Sequence, residues 1–194
     1  EYISFQPSDY FSAHMYSGNS STNNQTVGLT PALTVVKSRN TGSPTQWYWA
    51  DEPRGTGEYI SSNSTAAEAT DSETFELVAN GFNLAGGNGW TNLSGRTYGS
   101  WNWKAGTTSG IAGSPSITPT GYSFDATSGF SIIAYTGNGT SGATLPHGLG
   151  VAPDLITVKC LSHTGSWPVY HTSLGATKYL ELNQNSDVQT GTSR

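Results

Sequence analysis

In 194 residues the chain carries only 11% charged residues and a formal net charge of −5, against roughly 25% charged in an ordinary globular protein. Its eight Lys and Arg are too few for the clustered cations that a nucleic-acid surface needs, and no apolar run approaches the ~18 residues of a membrane-spanning helix. Gly, Ser, Thr and Asn stand in their place. The 24 glycines demand turns, good helix formers are scarce, and the expected class is all-β with core mass carried by Trp, Tyr and Phe.

Residues 1–10 read as a loosely held lead-in. Phe11 to Tyr16 alternates apolar and polar at period two and runs into the turn Ser17-Gly18-Asn19, a strand entering a hairpin. A polar loop follows to Thr26. Ala32 to Lys37, apolar and β-branched between Pro31 and the turn-rich Ser38 to Pro44, predicts a central strand. Gln46 to Ala50 predicts its antiparallel partner, with Trp47 and Trp49 on one face and Tyr48 on the other. Glu58 to Ser61 gives another short strand. Ser64 to Ser72 is too short for a stable helix and reads as loop. Thr74 to Val78 and Gly81 to Leu84 flank Ala79-Asn80-Gly81, a hairpin signal. Arg96 to Lys104 is the most aromatic strand, with Trp101 and Trp103 sharing a face expected to be buried. Residues 106–120 have linker composition.

The chain then repeats itself. Phe11-Ser-Ala-His-Met-Tyr-Ser-Gly-Asn19 returns as Phe130-Ser-Ile-Ile-Ala-Tyr-Thr-Gly-Asn138, Gly28 to Lys37 returns as Gly150 to Lys159, Trp47 as Trp167, and Gly55 to Asn63 as Gly175 to Asn183. The offsets are 119, 122, 120 and 120, drifting only between strand-like runs, as loop insertions make them drift. A period of roughly 120 residues is far beyond a solenoid repeat, so each unit is a domain. The first spans 1–105 and the second 121–194, which stops before any equivalent of Val78 to Trp103. Seven or more short strands per unit favour an antiparallel β-sandwich. The chain opens on Glu1, not Met, and reads as a piece of a longer repeat-bearing polypeptide. The second unit is expected not to stand alone as a monomer but to be completed by further chain or by strands of neighbouring copies.

Few residues promise chemistry. Gly137-Asn-Gly-Thr-Ser-Gly142 matches a dinucleotide fingerprint, but no helix follows it, so it is a turn. Asp71-Ser-Glu73-Thr-Phe-Glu76 would place Asp71 and Glu73 on one face about 7 Å apart if extended, and paired carboxylates serve glycoside hydrolysis. An enzyme of sandwich fold using Glu73 with Asp71 or Glu76 is the alternative reading; surface acids are the favoured one. His14, His147, His163 and His171 form no ligand spacing, so no metal or other cofactor is expected. Cys160, the single cysteine, reads as a small core or rim residue. The sequons at Asn24, Asn63, Asn92 and Asn138 reflect composition. Among the aromatics, Trp47, Trp101, Trp103, Trp167, Tyr59 and Tyr179 are expected in the core, and Trp90, Trp49 and Tyr48 are candidates for ligand or subunit contact. Trp90 sits at a loop tip where an exposed ring needs a reason.

Gly129 to Gly139, His147-Gly-Leu-Gly-Val-Ala-Pro153, Leu155 to Lys159, Trp167-Pro-Val-Tyr-His171 and Leu174 to Leu180 resemble the repeated modules of structural proteins of marine tailed phages. So do Gly55 to Asp71, Asn80 to Leu84 and Tyr98 to Gly106 in the first unit. The resemblance implies a concanavalin-A-like (lectin/glucanase-type, jelly-roll) sandwich in a fibre, tail or capsid-surface protein on the virion, with no catalytic residues. Its expected partners are other virion subunits, most simply copies of itself in a trimer as in phage fibres, and host surface polysaccharide. Fold alone does not imply lectin activity.

Overall fold

Every strand pairing among the described residues is antiparallel, as a turn-rich sequence with short β-branched and aromatic runs requires. The computed structural model describes residues 6–40, 45–71 and 74–191. The first unit holds β1 (Phe11–Ser17), β2 (Gln25–Thr26), β3 (Leu33–Ser38), β4 (Tyr48–Asp51), β5 (Glu58–Ser61), β6 (Ala69–Thr70), β7 (Phe75–Val78), β8 (Gly81–Leu84) and β9 (Thr97–Trp103). The second holds β10 (Gly121–Asp125), β11 (Phe130–Ala134), β12 (Leu155–Thr157), β13 (Pro168–His171), β14 (Lys178–Glu181) and β15 (Gln189–Thr190). The protein is all-β. Two of these strands lie where loop was expected: β2 and β6 are two-residue segments captured by their neighbours.

The first unit is built from a six-stranded sheet in the order β1-β9-β3-β4-β5-β6 and a three-stranded sheet β2-β8-β7. Register puts Tyr16, Tyr98, Val36, Tyr48 and Tyr59 on one face of the larger sheet. That face packs on Phe75, Phe82 and Leu84 of the smaller sheet, with Val27 and Leu29 at its rim. The rings interlock: Tyr16 stacks on Tyr98 at 5.2 Å and Phe75 on Phe82 at 5.0 Å, separations at which aromatic pairs attract beyond simple area burial.

The central strand β9 turns out the other way round from its sequence reading. Its inward positions are Ser100 and Asn102, both buried. Thr34 Oγ1 donates to Asn102 Oδ1 at 2.9 Å, and Asn102 Nδ2 donates to the Ser12 carbonyl at 3.1 Å and to Ser100 Oγ at 3.1 Å. A satisfied polar network is as admissible in an interior as an apolar one, so hydrophobicity alone assigned the wrong face. Trp101 and Trp103 are half-buried on the outer face, where Trp101 packs against Trp47 at 5.5 Å. Trp47, likewise half-buried, belongs to that outer layer and not to the core.

From β12 to β15 the second unit repeats β3 to β6 in register as well as in order, whereas β11, the counterpart of β1, pairs with β10 instead of with a strand like β9. Leu33 pairs with Asp51 and Leu155 with His171; Trp49 with Ile60 and Val169 with Leu180; Tyr59 with Ala69 and Tyr179 with Gln189. Small bonds repeat too. The Trp47 N–H donates to Asn63 Oδ1 at 2.9 Å and the Trp167 N–H to Asn183 Oδ1 at 2.8 Å. The Asp71 N–H meets the Gly57 carbonyl as the Gly191 N–H meets that of Thr177.

Closure differs between the units. Among the described residues β11 pairs only with β10, the sheet β12-β13-β14-β15 stands apart, and nothing in the second unit corresponds to β7, β8 and β9. Val36 is 0% exposed and its counterpart Val158 is 40%; Leu33 is 7% and Leu155 is 59%. Cys160, expected at a core or rim, is exposed, and Tyr179 is half-buried where a core ring was expected.

Residues 106–120 are irregular but not a free tether. Thr107 bridges Phe124, the Thr120 N–H donates to the Ala134 carbonyl at 2.8 Å, and Ala105 and Ile117 are buried. The hairpin β10–β11 is fastened to the first unit by Ser123 Oγ, which donates to Glu52 Oε2 at 2.7 Å.

Candidate functional site

Trp90 stands on a turn that the sequence specifies residue by residue. Asn88 Oδ1 accepts the Trp90 N–H at 2.8 Å, an Asx turn, and the Asn88 carbonyl accepts the Asn92 N–H at 2.7 Å. Asn92 is buried and holds the turn from beneath. Its Nδ2 donates to the carbonyls of Ser21 and Gly86, both at 2.7 Å, and its Oδ1 accepts from Asn23 Nδ2 at 2.8 Å. A sequon asparagine so enclosed is structural: a glycan on its amide would displace the bonds that hold the turn. Arg96 Nη1 donates to the Gly89 carbonyl at 2.7 Å from the other side.

Around the half-buried Trp90 ring, Tyr59 lies edge-on at 5.5 Å and Asn88 Nδ2 donates to Asp71 Oδ2 at 2.6 Å. Burial, reinforced by the Asp71 charge, pushes the Tyr59 phenol above its ordinary pKa. The cluster therefore sets a half-buried indole beside a carboxylate and an amide that are bonded to each other.

The other residues singled out from the sequence separate. Tyr48 is fully buried, stacked on Tyr59 at 4.7 Å; it is a core residue and not a contact residue, because its strand position faces the smaller sheet. Burial, then the Asp71 charge, raises its pKa well beyond the usual tyrosine range. Tyr59, half-buried, packs against the core as expected. Trp49 lies on the outer face, 5.4 Å from the ring of Trp167. Trp167 is buried, but by the first unit: its Nε1 donates to the Ser64 carbonyl at 3.0 Å. Of the candidate acids, Asp71 is engaged by Asn88, and Glu76 Oε2 accepts from Asn83 Nδ2 at 3.4 Å. Glu73 lies outside the described residues. Among those residues no group of three His, Cys, Asp or Glu side chains stands where it could hold a metal ion, and no helix is long and apolar enough to cross a membrane.

Two open clefts lie elsewhere. One of about 270 Å³ is lined by Tyr10, Phe11, Trp103 and Phe130, a meeting of the two units. The other, about 660 Å³, runs along Phe124, Leu145, Pro146 and Val151. The second was not visible in the sequence. Val151 corresponds to Leu29, a core residue in the first unit, so the cleft opens where the counterpart segment is covered.

Taken together, the chain is an all-β protein whose repeat is closed once and open once. It belongs to the DUF7483 family, a domain of unknown function whose model matches residues 6–194. The chain matches no curated protein and no solved structure.

Proposed function

We propose that the chain is a non-enzymatic structural and adhesion module of a virion, part of a phage fibre, tail or capsid surface, built from tandem β-sandwich units of jelly-roll, concanavalin-A-like type. The observation that carries this reading is the pair of units in matching register, of which the second leaves an apolar sheet uncovered. A catalyst has no use for such a face in water, whereas a subunit does. The low charge, the Asn, Ser and Thr surface and the sequence resemblance support it. The Trp90 cluster with Asn88 and Asp71 is the place where such a module touches a host polysaccharide.

The test is location. Antiserum raised against the purified chain should label purified particles of the virus that encodes it in immunogold electron microscopy. Particles that stay unlabelled, with the protein recovered only from the soluble lysate, would overturn the assignment.

A further inference from the structure

The contact between the two units is directional, and its two halves recur on opposite ends of the chain. On the outer face of the six-stranded sheet, register aligns Leu33, Val35, Trp49, Ile60, Trp101 and Trp103. The second unit closes on this face. Phe130 stacks on Trp103 at 6.2 Å, and Trp167 packs tilted against Trp49 at 5.4 Å. Around Trp167, Lys159 Nζ donates to the Thr65 carbonyl at 3.2 Å, the Gly165 N–H donates to the same oxygen at 2.8 Å, and the Glu68 N–H donates to the Leu161 carbonyl at 2.9 Å. The gripping side is thus a lysine and a tryptophan from the second unit. The gripped side is an apolar sheet face and the loop after its third hairpin strand.

The gripping side is repeated in the first unit. Lys37 Nζ donates to the Thr45 carbonyl as Lys159 Nζ does to that of Gly165, and Trp47 is anchored by Asn63 as Trp167 is by Asn183. The Lys37 ammonium lies 5.6 Å above the Trp47 ring. The gripped side is repeated in the second unit. Leu155 and Leu180 occupy the places of Leu33 and Ile60, Val169 that of Trp49, and the loop 182–188 that of 62–68. There the face is uncovered: Leu155, Leu180, Leu182 and Val188 are all exposed, while Leu33 and Ile60 are buried.

We propose that a second copy of this chain docks its first unit, through Lys37 and Trp47, on the Leu155–Leu180 face and the 182–188 loop, repeating between chains the contact made within one. The inference rests on the subunit reading above and gives it a partner and an orientation. Such a pairing is heterologous: each chain offers one gripping and one gripped surface, so copies add head to tail into rings or filaments. Val169 is smaller than Trp49, so the contact between chains is smaller than the one within the chain. It forms reversibly, at micromolar concentrations or above.

Sedimentation velocity of the whole chain from about 1 to 200 µM tests it. The mean mass should rise with concentration. A gripped-face variant, L155E/L180E, and a gripping-side variant, W47A, should each stay monomeric, with association weakened at least tenfold. K37E, which leaves the Trp47–Trp101 packing in place, serves if W47A loses its strand circular dichroism. An equimolar mixture of the two variants retains one intact interface and should sediment as a dimer and nothing larger. A wild-type chain that is monomeric throughout, a gripping-side variant that still self-associates, or a mixture that stays monomeric would each overturn the proposal. Location in the virion is decided separately by the labelling experiment, so either claim can fail without the other.

Discussion

Tyr16, Tyr48, Tyr59 and Tyr98 meet in one core, and burial pushes the phenol of each above its ordinary pKa. Neighbouring charge adds to this: Tyr98 acts on Tyr16, and Asp71 acts on Tyr48 and Tyr59, while at Tyr98 the Leu93 N–H and Arg96 oppose burial. The sign follows from linkage. In the unfolded chain these groups lose their protons near pH 10, whereas the native state keeps them. The unfolded state therefore binds fewer protons above that pH, and stability falls as pH rises. The denaturation midpoint should be flat from about pH 7 to 9 and should drop steeply above about pH 10. The tyrosinate absorbance should rise together with loss of strand circular dichroism. Phenols that titrate at their ordinary value while the fold persists would show that these rings reach water.

At the scale of the strand, what was legible depended on whether the signal was local. The β7–β8 hairpin was readable because its turn needs a residue tolerant of positive φ, and Asn80 supplies it at φ 66°. Gly81 has a second duty that no sequence shows: a Cβ there would lie 1.8 Å from the Gln25 carbonyl oxygen, because β2 crosses it closely. Gly81→Ala should therefore cost about 1–3 kcal/mol or more and speed amide exchange in β2, measured by thermal melting and hydrogen exchange. Gly137→Ala, whose Cβ meets nothing within 4 Å, is the control and should melt like wild type. Equal melting of the two variants would refute the close approach. By contrast β2 and β6 carry no periodicity and exist only through their partners. The orientation of β9 was unreadable because its buried side is held by a hydrogen bond from Thr34 and one to the Ser12 carbonyl, both far away in sequence.

For the molecule as a whole, the repeat was legible down to cross-strand register from β3 to β6 and β12 to β15, because matching side chains impose matching pairing, but not at β1 and β11, whose partners differ. How the units sit together was not, since Trp167 looked like a core residue of its own unit and is buried by its neighbour instead. That misreading has a thermodynamic consequence. The first unit owns its core, with two sheets closing on Tyr48, Phe75, Phe82 and Tyr98. The second owns a four-stranded sheet on and beside which Leu155, Ile156, Val158, Leu180, Leu182 and Val188 are exposed, and the indole of its buried Trp167 packs against the first. Burial must offset a conformational entropy of about 1–2 kcal/mol for each ordered backbone residue, and a single uncovered sheet does not reach that. Residues 121–194 expressed alone should give no cooperative urea transition and should aggregate or remain unfolded, while residues 1–120 should melt as a cooperative unit. Within the whole chain, Trp167→Ala should release the second unit first. Amide protection in β12–β14 should fall by an order of magnitude or more while that of β3, β4 and β9 holds, because a large share of the ~3–5 kcal/mol carried by a buried tryptophan lies at this junction. A fragment 121–194 that is monomeric, well dispersed by NMR and cooperative in urea would show that the second unit is a domain in its own right. The uncovered face would then need no neighbour.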